Sequence, residues 1–364
     1  MNQAIARLSQ AARQAVRTGN WPVVSASARE ILKADRQNPE GWFLTGLAAQ
    51  AGRRGKAAIE AFSRAVHYDA QRYDAAIELA WQYWLAVRMN EALELLERYT
   101  PMLDRSPLYL ELAASTYTRL GLHEKAFPLY EQASMLQPEI YRFRENLAKC
   151  AVFVGKIEQA KAIYREILEK APTHQRNHFE LSRLERARDS KHLDQMQTVL
   201  DAANQPPERN IFLYYAMAKE LEDLERWEEA FTFYKRAGDA ASGEAYKAGY
   251  RVAQDVALMD GIRETCNAPW LEQKAGAAHP SSASEKIPIF IVGLPRTGTT
   301  LTERIVASHS RVESADETQF MQIAVQRAAG KAPGSEMSPG VIKAAANTRI
   351  DRLGQAYLSS VAYK

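Results

Sequence analysis

Residues 293–300 have the composition and spacing of a phosphate-binding loop. The run reads Gly-Leu-Pro-Arg-Thr-Gly-Thr-Thr, with Gly293 and Gly298 spaced as in a Walker A loop. Thr299 stands at the Walker lysine position, so the cation that holds β- and γ-phosphates is missing and ATP or GTP hydrolysis is disfavoured. Arg296 supplies the cation of the run, and its guanidinium suits two-point contact with one terminal phosphate. The loop therefore predicts a nucleotide monophosphate end as ligand, without magnesium.

Two elements of secondary structure are predicted to position this loop. Ile287–Val292 is a short apolar run rich in β-branched residues, typical of a strand buried on both faces of a parallel sheet. Leu301–Ser308 can form an amphipathic helix. Strand, glycine-bounded loop and helix together present backbone N–H groups and the positive end of a helix dipole to an anion.

The segment Pro295–Leu301 resembles the 5′-phosphosulfate loop of sulfotransferases that use 3′-phosphoadenosine 5′-phosphosulfate (PAPS), where P-[KR]-[ST]-G-T-[ST] precedes a helix. A second similarity follows it. His309 closes the helix, and Asp316–Thr318 resembles the acidic segment of tyrosylprotein sulfotransferases and their bacterial repeat-bearing relatives. The resemblance implies the N-terminal part of an α/β P-loop-like domain, with PAPS as co-substrate and a hydroxyl acceptor such as protein tyrosine.

The same resemblance assigns roles to individual residues. The residues that bind the phosphosulfate are Arg296, Thr297, Gly298, Thr299 and Thr300. Arg296 also stabilises charge on the departing phosphate. Glu317, 21 residues after Arg296, is the catalytic base, with Glu313 as a weaker candidate and Asp316 beside it. His309 is interpreted as a helix C-terminal residue favoured by the dipole. No His, Asp or Glu cluster has metal-ligand spacing, so no metal is expected.

Residues 1–240 carry a second pattern, a 34-residue period of small and large apolar residues. Four units keep this period in unbroken register. Their small positions include Gly46, Ala80, Ala114 and Ala148, and their large positions include Phe62, Leu96, Tyr130 and Tyr164. The fifth copy blurs after Leu181, and a two-residue slip restores the phase at Ala218.

This period resembles the tetratricopeptide repeat. The resemblance predicts an all-α superhelix, because one helical hairpin cannot bury its apolar face alone and neighbouring hairpins must stack. The groove of such an array holds peptides or partner proteins. We expect it to recruit the acceptor or a partner.

The composition predicts four segments: a repeat array at 1–240, capping helices at 241–272, a Gly/Ala/Ser-rich linker at 273–286 and a partial sulfotransferase domain at 287–364. Sulfotransferase domains of this family are several times longer. They contain further parallel strands and a 3′-phosphate site that is not recognisable in this sequence. We therefore expect a domain truncated at its C-terminus.

The sequence leaves two alternative functions open. The first is a tetratricopeptide-repeat adaptor that carries an inert sulfotransferase remnant. The second is a P-loop kinase or NTPase, which the missing lysine disfavours.

Composition excludes several other classes. Hydrophobic residues at 46% and charged residues at 25% are ordinary for globular proteins. A net charge of +3 is too small for a protein that wraps nucleic acid. The longest apolar run, Ile287–Leu294, is far shorter than the ~20 residues of a membrane span. Cys150 and Cys266 lie far apart, which disfavours a disulfide scaffold and predicts a reduced, cytoplasmic location.

Overall fold

The computed structural model describes residues 2–103, 106–202, 205–275 and 287–362. These residues form twenty α-helices and contain no β-strand. The chain divides into two compact units. The first comprises Met1–Ala65, Gln82–Leu95 and Val252–Lys364, and the second comprises Val66–Trp81 and Leu96–Arg251.

Fourteen helices occupy the region in which the sequence predicts repeats. They are α1 (Asn2–Arg17), α2 (Trp21–Ala34), α3 (Pro39–Ala51), α4 (Gly55–Tyr68), α5 (Tyr73–Leu85), α6 (Met89–Tyr99), α7 (Pro107–Arg119), α8 (His123–Leu136), α9 (Tyr141–Phe153), α10 (Ile157–Lys170), α11 (Gln175–Leu184), α12 (Lys191–Ala202), α13 (Ile211–Asp223) and α14 (Trp227–Lys247). Local chemistry explains several boundaries. Asn38, for example, caps α3 by accepting a hydrogen bond from the Gly41 N–H at 3.1 Å, and Pro39 takes the first helical position.

The helices of the second unit pack as the repeat pattern predicts. Helix α7 packs against α8, α8 against α9, and α9 against α10. The small positions Ala114 and Ala148 are fully buried, and so is Ala160 on the second helix of its hairpin. Tyr130 and Tyr164 fill the space between hairpins and are at most 4% exposed. The predicted tetratricopeptide-repeat architecture is therefore confirmed.

The fifth repeat, α11 and α12, explains why the sequence pattern blurs there. Three polar side chains of α11 are buried to about 1% exposure: Asn177, His178 and Ser182. Leu193 and Met196 of α12 join a cluster with residues of α13 and α14. The apolar signature is lost because this hairpin buries hydrogen-bonding groups where the other repeats bury alanine and leucine.

Six further helices lie in the first unit. They are α15 (Val252–Thr265), α16 (Ala268–Ala275), α17 (Thr299–Ala307), α18 (Phe320–Ala328), α19 (Pro339–Ala346) and α20 (Ile350–Val361). Helix α19 packs on α15, and α18 packs on both α19 and α20. Helix α16 is tied to the α19–α20 junction, since Trp270 Nε1 donates to the Ala346 carbonyl at 3.2 Å and Lys274 Nζ donates to the Thr348 carbonyl at 3.0 Å.

The prediction of a buried strand at Ile287–Val292 is wrong for this structure. The segment is not helical, but it forms no strand, and Ile287 and Val292 are 85% and 87% exposed. An extended segment becomes a strand only when its N–H and C=O groups pair with a neighbour, and no described segment of the chain pairs with this one. The Phe290 ring instead contacts Tyr357 of α20, with centroids 5.3 Å apart.

The last two helices are separate, because α19 ends at Ala346 and the Thr348 hydroxyl donates to the Ala345 carbonyl at 2.6 Å. One predicted boundary differs from the structure. The predicted linker at 273–286 begins inside a helix, since α16 continues to Ala275. The rest of that linker, 276–286, lies outside the described residues.

Candidate functional site

The loop at 293–298 is a tight turn that ends in a left-handed glycine. Gly298 has a φ of +93° and is the N-cap residue of α17. Thr297 closes the turn, because its N–H and its hydroxyl donate to the Leu294 carbonyl at 3.3 Å and 2.7 Å. A Cβ on Gly293 would lie 2.8 Å from the Thr297 hydroxyl oxygen. Both glycines of the predicted motif are therefore required by the backbone.

The first turn of α17 offers unpaired backbone donors. The first capping bond of the helix runs from the Thr302 N–H to the Gly298 carbonyl at 3.0 Å. The N–H groups of Thr299, Thr300 and Leu301 precede it and have no intrahelical acceptor. Together with the positive end of the helix dipole, these groups can bind an anion. Thr299 is half-buried and Thr300 is exposed, and both belong to the helical turn that carries these donors.

Arg296 lies at the top of this turn in an unusual backbone conformation. Its φ is +68°, in the left-handed region that costs a non-glycine residue roughly 1–2 kcal/mol. Its side chain is exposed and forms no ion pair with any described residue. A cation without an ion pair, in the loop that leads into a set of free helix N–H groups, is chemically suited to a phosphate or sulfate group.

The acidic segment is tied to the same helix by side chains that the sequence analysis did not single out. The Ser314 hydroxyl donates to Glu303 Oε1 on α17 at 2.5 Å, and it accepts from the Asp316 N–H at 3.0 Å. Asp316 has a φ of +57°, and the exposed Glu317 follows it in a bend. The structure therefore connects the residue before Glu317 to the second turn of the phosphate-loop helix.

The remaining predicted site residues are placed as follows. His309 is exposed two residues beyond the end of α17, and its Nδ1 accepts from the Arg311 N–H at 3.1 Å. Glu313 is exposed and immediately precedes Ser314. Neither Arg296 nor Glu317 forms a hydrogen bond or ion pair with another described side chain, so the two are linked through α17 and not directly. In the sequence, Glu303 could have been found by its position one helical turn after Thr299.

Two other kinds of feature are absent from the part of the chain that the structure describes. No group of three or more His, Cys, Asp or Glu side chains there is arranged to hold a metal ion. No helix within the described ranges is both long enough and apolar enough to cross a membrane.

Comparison with known proteins extends the argument from geometry. Residues 288–362 match the model of the sulfotransferase family, so the matched segment contains the loop, α17 and the acidic segment. An uncharacterized protein of Aquifex aeolicus (strain VF5) is 26% identical over 243 residues, which cover 64% of this chain. The chain spans 31% of the length of that relative.

Solved structures of tetratricopeptide-repeat proteins are similar to part of the chain. A tetratricopeptide repeat protein from Parabacteroides merdae ATCC 43184 is 14% identical, with a TM-score of 0.42, covering 65% of this chain and 93% of that one. TTC0263, a thermophilic TPR protein of Thermus thermophilus, is 19% identical, with a TM-score of 0.40, covering 50% and 98%. At these scores the repeat assignment rests on the buried period and hairpins of the chain itself. The chain joins tetratricopeptide repeats to a segment that matches the sulfotransferase family.

Proposed function

We propose that residues 287–362 are the phosphosulfate-binding part of a PAPS-dependent sulfotransferase. The observation that carries the proposal is the glycine-capped N-terminus of α17, with Arg296 two residues before the cap in a left-handed conformation, inside the segment that matches the family. This arrangement offers N–H donors and one cation to a single terminal anionic group. The loop is less suited to binding a nucleoside triphosphate, because Thr299 occupies the position of the lysine that contacts the β- and γ-phosphates.

Residues 296–300 of the loop each have a proposed contact with the sulfuryl donor, PAPS. PAPS supplies the sulfuryl group. Thr297, Gly298, Thr299 and Thr300 surround the end of the helix that receives the phosphosulfate, and Arg296 donates two-point hydrogen bonds to it. Because these donors are held before the reaction, they stabilise negative charge that grows on the bridging oxygen without needing to reorganise.

Glu317 is proposed to take the proton of the acceptor hydroxyl. Its carboxylate is exposed and has no partner among the described residues, so it can accept a hydrogen bond from an incoming hydroxyl. Support comes from the bond between Ser314 and Glu303, which ties the segment just before Glu317 to α17. A general base of this kind contributes roughly 10²–10⁴-fold to the rate.

The acceptor and its recruitment form a narrower part of the proposal. We infer that the acceptor is a hydroxyl on a protein, with tyrosine as the favoured residue, and that the repeats bind the protein that carries it. The support is that one chain contains both a repeat array and the segment that matches the sulfotransferase family. A peptide that occupies the repeats should then raise the KM for the protein acceptor and leave kcat unchanged.

The direct test is transfer of radiolabelled sulfate from PAPS to a tyrosine peptide by the natural protein. Glu317→Gln is expected to lower kcat about 10²–10⁴-fold with little change in the KM for PAPS. Glu313→Gln is the matched control and should stay within about 3-fold of the wild type.

Two outcomes contradict the proposal. If Glu313→Gln loses activity and Glu317→Gln keeps it, the base is misassigned. If the wild type neither transfers the label nor binds PAPS, the sulfotransferase function is wrong for this chain, and a repeat adaptor becomes the better account.

A further inference from the structure

A surface pocket of about 490 Å³ opens in the second unit, far along the chain from the phosphate loop. Its walls are Lys161 of α10, the loop 184–189 after α11, His192 of α12 and Glu220 of α13. The volume lies within the range of roughly 300–1,000 Å³ that small-molecule sites occupy.

The α11–α12 loop that forms the pocket is held in place by buried hydrogen bonds. The Ala187 N–H donates to Asp223 Oδ2 at 2.8 Å, and Lys219 Nζ donates to the same oxygen at 2.5 Å. Lys219 also donates to the Glu185 carbonyl. The pocket wall is therefore built by specific contacts with α13.

A chain of three side chains includes two that line the pocket, His192 and Glu220, and the buried His178. His178 Nε2 is 2.7 Å from the Pro172 carbonyl, and His178 Nδ1 is 2.8 Å from His192 Nε2. His192 Nδ1 is 2.5 Å from Glu220 Oε1. Each ring nitrogen of both histidines therefore has one partner.

Proton positions follow from these partners. A carbonyl only accepts, so His178 Nε2 carries a proton, and burial lowers the pKa of His178 to about 4, which keeps its Nδ1 unprotonated near neutral pH. His192 Nε2–H must then donate to His178. The short contact between His192 Nδ1 and Glu220 Oε1 gives that oxygen its partner.

The second carboxylate oxygen of Glu220, Oε2, lacks a hydrogen-bond partner among the described residues. The Glu220 side chain is 4% exposed, and its Oε2 has no hydrogen-bond donor among the described residues. A buried carboxylate oxygen without a donor is costly. Glu220 lines the pocket while its Oε2 is closed off from solvent, so a bound molecule can supply the donor once the carboxylate turns toward the pocket. Charged donors, a protonated amine among them, form the stronger hydrogen bonds to a carboxylate.

Three basic side chains also line the pocket, Lys161, Arg186 and Arg188, together with the acids Glu185 and Asp189. Lys161 is already paired with Glu158 at 2.6 Å and lies 3.6 Å from Glu185. Arg188 has no ion-pair partner in the described part of the chain, so its guanidinium is available to a carboxylate.

The repeat period independently marks this hairpin as unusual. Steps of 34 residues place His178 where an earlier repeat has the buried Leu110, and Ser182 where others have Ala114 and Ala148. The repeat just before has Arg144 at the first of these positions, where it pairs with Glu166, and the second position is a buried alanine in both earlier repeats. A buried polar network is costly unless it is satisfied, so its presence in one repeat indicates a role besides packing.

We propose that this pocket binds a small zwitterion, a molecule with a protonated amine and an acid group. The amine donates to Glu220 Oε2, and the acid group accepts from Arg188. The site is independent of the proposed sulfotransferase function, because none of its residues lies in 288–362.

The test is calorimetric titration of the full chain with L-glutamate as the probe. Wild type is expected to bind it saturably at or below about 1 mM. Acetate, which has only the acid group, and methylammonium, which has only the amine, are expected to bind at least about 10-fold more weakly.

Three variants locate the site. Glu220→Gln and Arg188→Gln are each expected to weaken binding of L-glutamate by about 10-fold or more. Glu111→Gln is the matched control, since Glu111 is also a largely buried carboxylate, but Asn146 and Arg142 already contact its two oxygens. It should bind as wild type does. Arg188 is exposed, so its replacement tests the site even if Glu220→Gln fails to fold.

The proposal is wrong if wild type binds no L-glutamate at about 10 mM. It is equally wrong if both Glu220→Gln and Arg188→Gln bind as tightly as wild type, or if acetate alone binds as well as L-glutamate.

Discussion

The buried imidazole of His178 makes the stability of the second unit depend on pH. Its ring is 1% exposed, and burial is the largest cause of a pKa of about 4; the carbonyl of Pro172 opposes the shift, and the charges of His192 and His174 add to it. An unfolded histidine has a pKa of about 6.5. Between these two values the unfolded chain binds a proton at this side chain that the folded chain does not, so acid favours unfolding.

The magnitude follows from the two pKa values. Integrating the proton-binding difference from pH 7 to pH 5 gives a loss of about 2 kcal/mol in the free energy of unfolding, and the loss reaches about 3 kcal/mol by pH 4. Above about pH 7 the contribution is fully present. In urea, a loss of 2 kcal/mol moves the unfolding midpoint by about 1 M.

The assay compares wild type with His178→Gln, which can still donate to the Pro172 carbonyl but does not titrate. The difference in unfolding free energy between the two proteins should be about 2 kcal/mol smaller at pH 5 than at pH 7. An NMR titration of the His178 ring measures the same pKa directly. A gap that does not change with pH, or a ring pKa near 6.5, would refute the reasoning.

Two further predictions concern the phosphate loop and its helix. Gly298→Ala places a Cβ at a φ of +93° and should destabilise the first turn of α17 by roughly 1–2 kcal/mol, measured as weaker PAPS binding; unchanged binding would contradict the role of the turn. Ser314→Ala and Glu303→Gln each break or weaken the bond that holds the acidic segment, so kcat should fall about 3- to 10-fold while PAPS affinity stays within about 2-fold. Loss of PAPS affinity in these two variants would mean that the bond supports the loop instead.

Much of the fold could be predicted because the residues that recur at the 34-residue period are those that the helical hairpins bury. Ala114 and Ala148 lie 34 residues apart, as do Tyr130 and Tyr164, and the structure buries all four. The fifth hairpin departed from the pattern for a physical reason, since His178 and Ser182 are buried through hydrogen bonds that no apolar period can show.

Other features depend on contacts between distant residues. The run at Ile287–Val292 has strand composition, but a strand also needs a partner, and none of the described segments pairs with it. The bond between Glu303 and Ser314 joins residues 11 positions apart on different elements, so local spacing does not reveal it. By contrast, Gly293 and Gly298 were predictable, because a turn that requires glycine imposes it on the sequence.

The measurement that tests the central claim most directly is calorimetric titration of the full chain with PAPS. The same titration is made on two single variants, Arg296→Ala and Arg304→Ala. Arg304 is an exposed cation on α17, the helix that follows the loop, and serves as the matched control. We predict that PAPS binds at least about 10-fold more tightly than ATP, that Arg296→Ala weakens PAPS binding about 10-fold or more, and that Arg304→Ala leaves it unchanged. Equal affinity for PAPS and ATP, or equal losses in the two arginine variants, would contradict a phosphosulfate site at this loop.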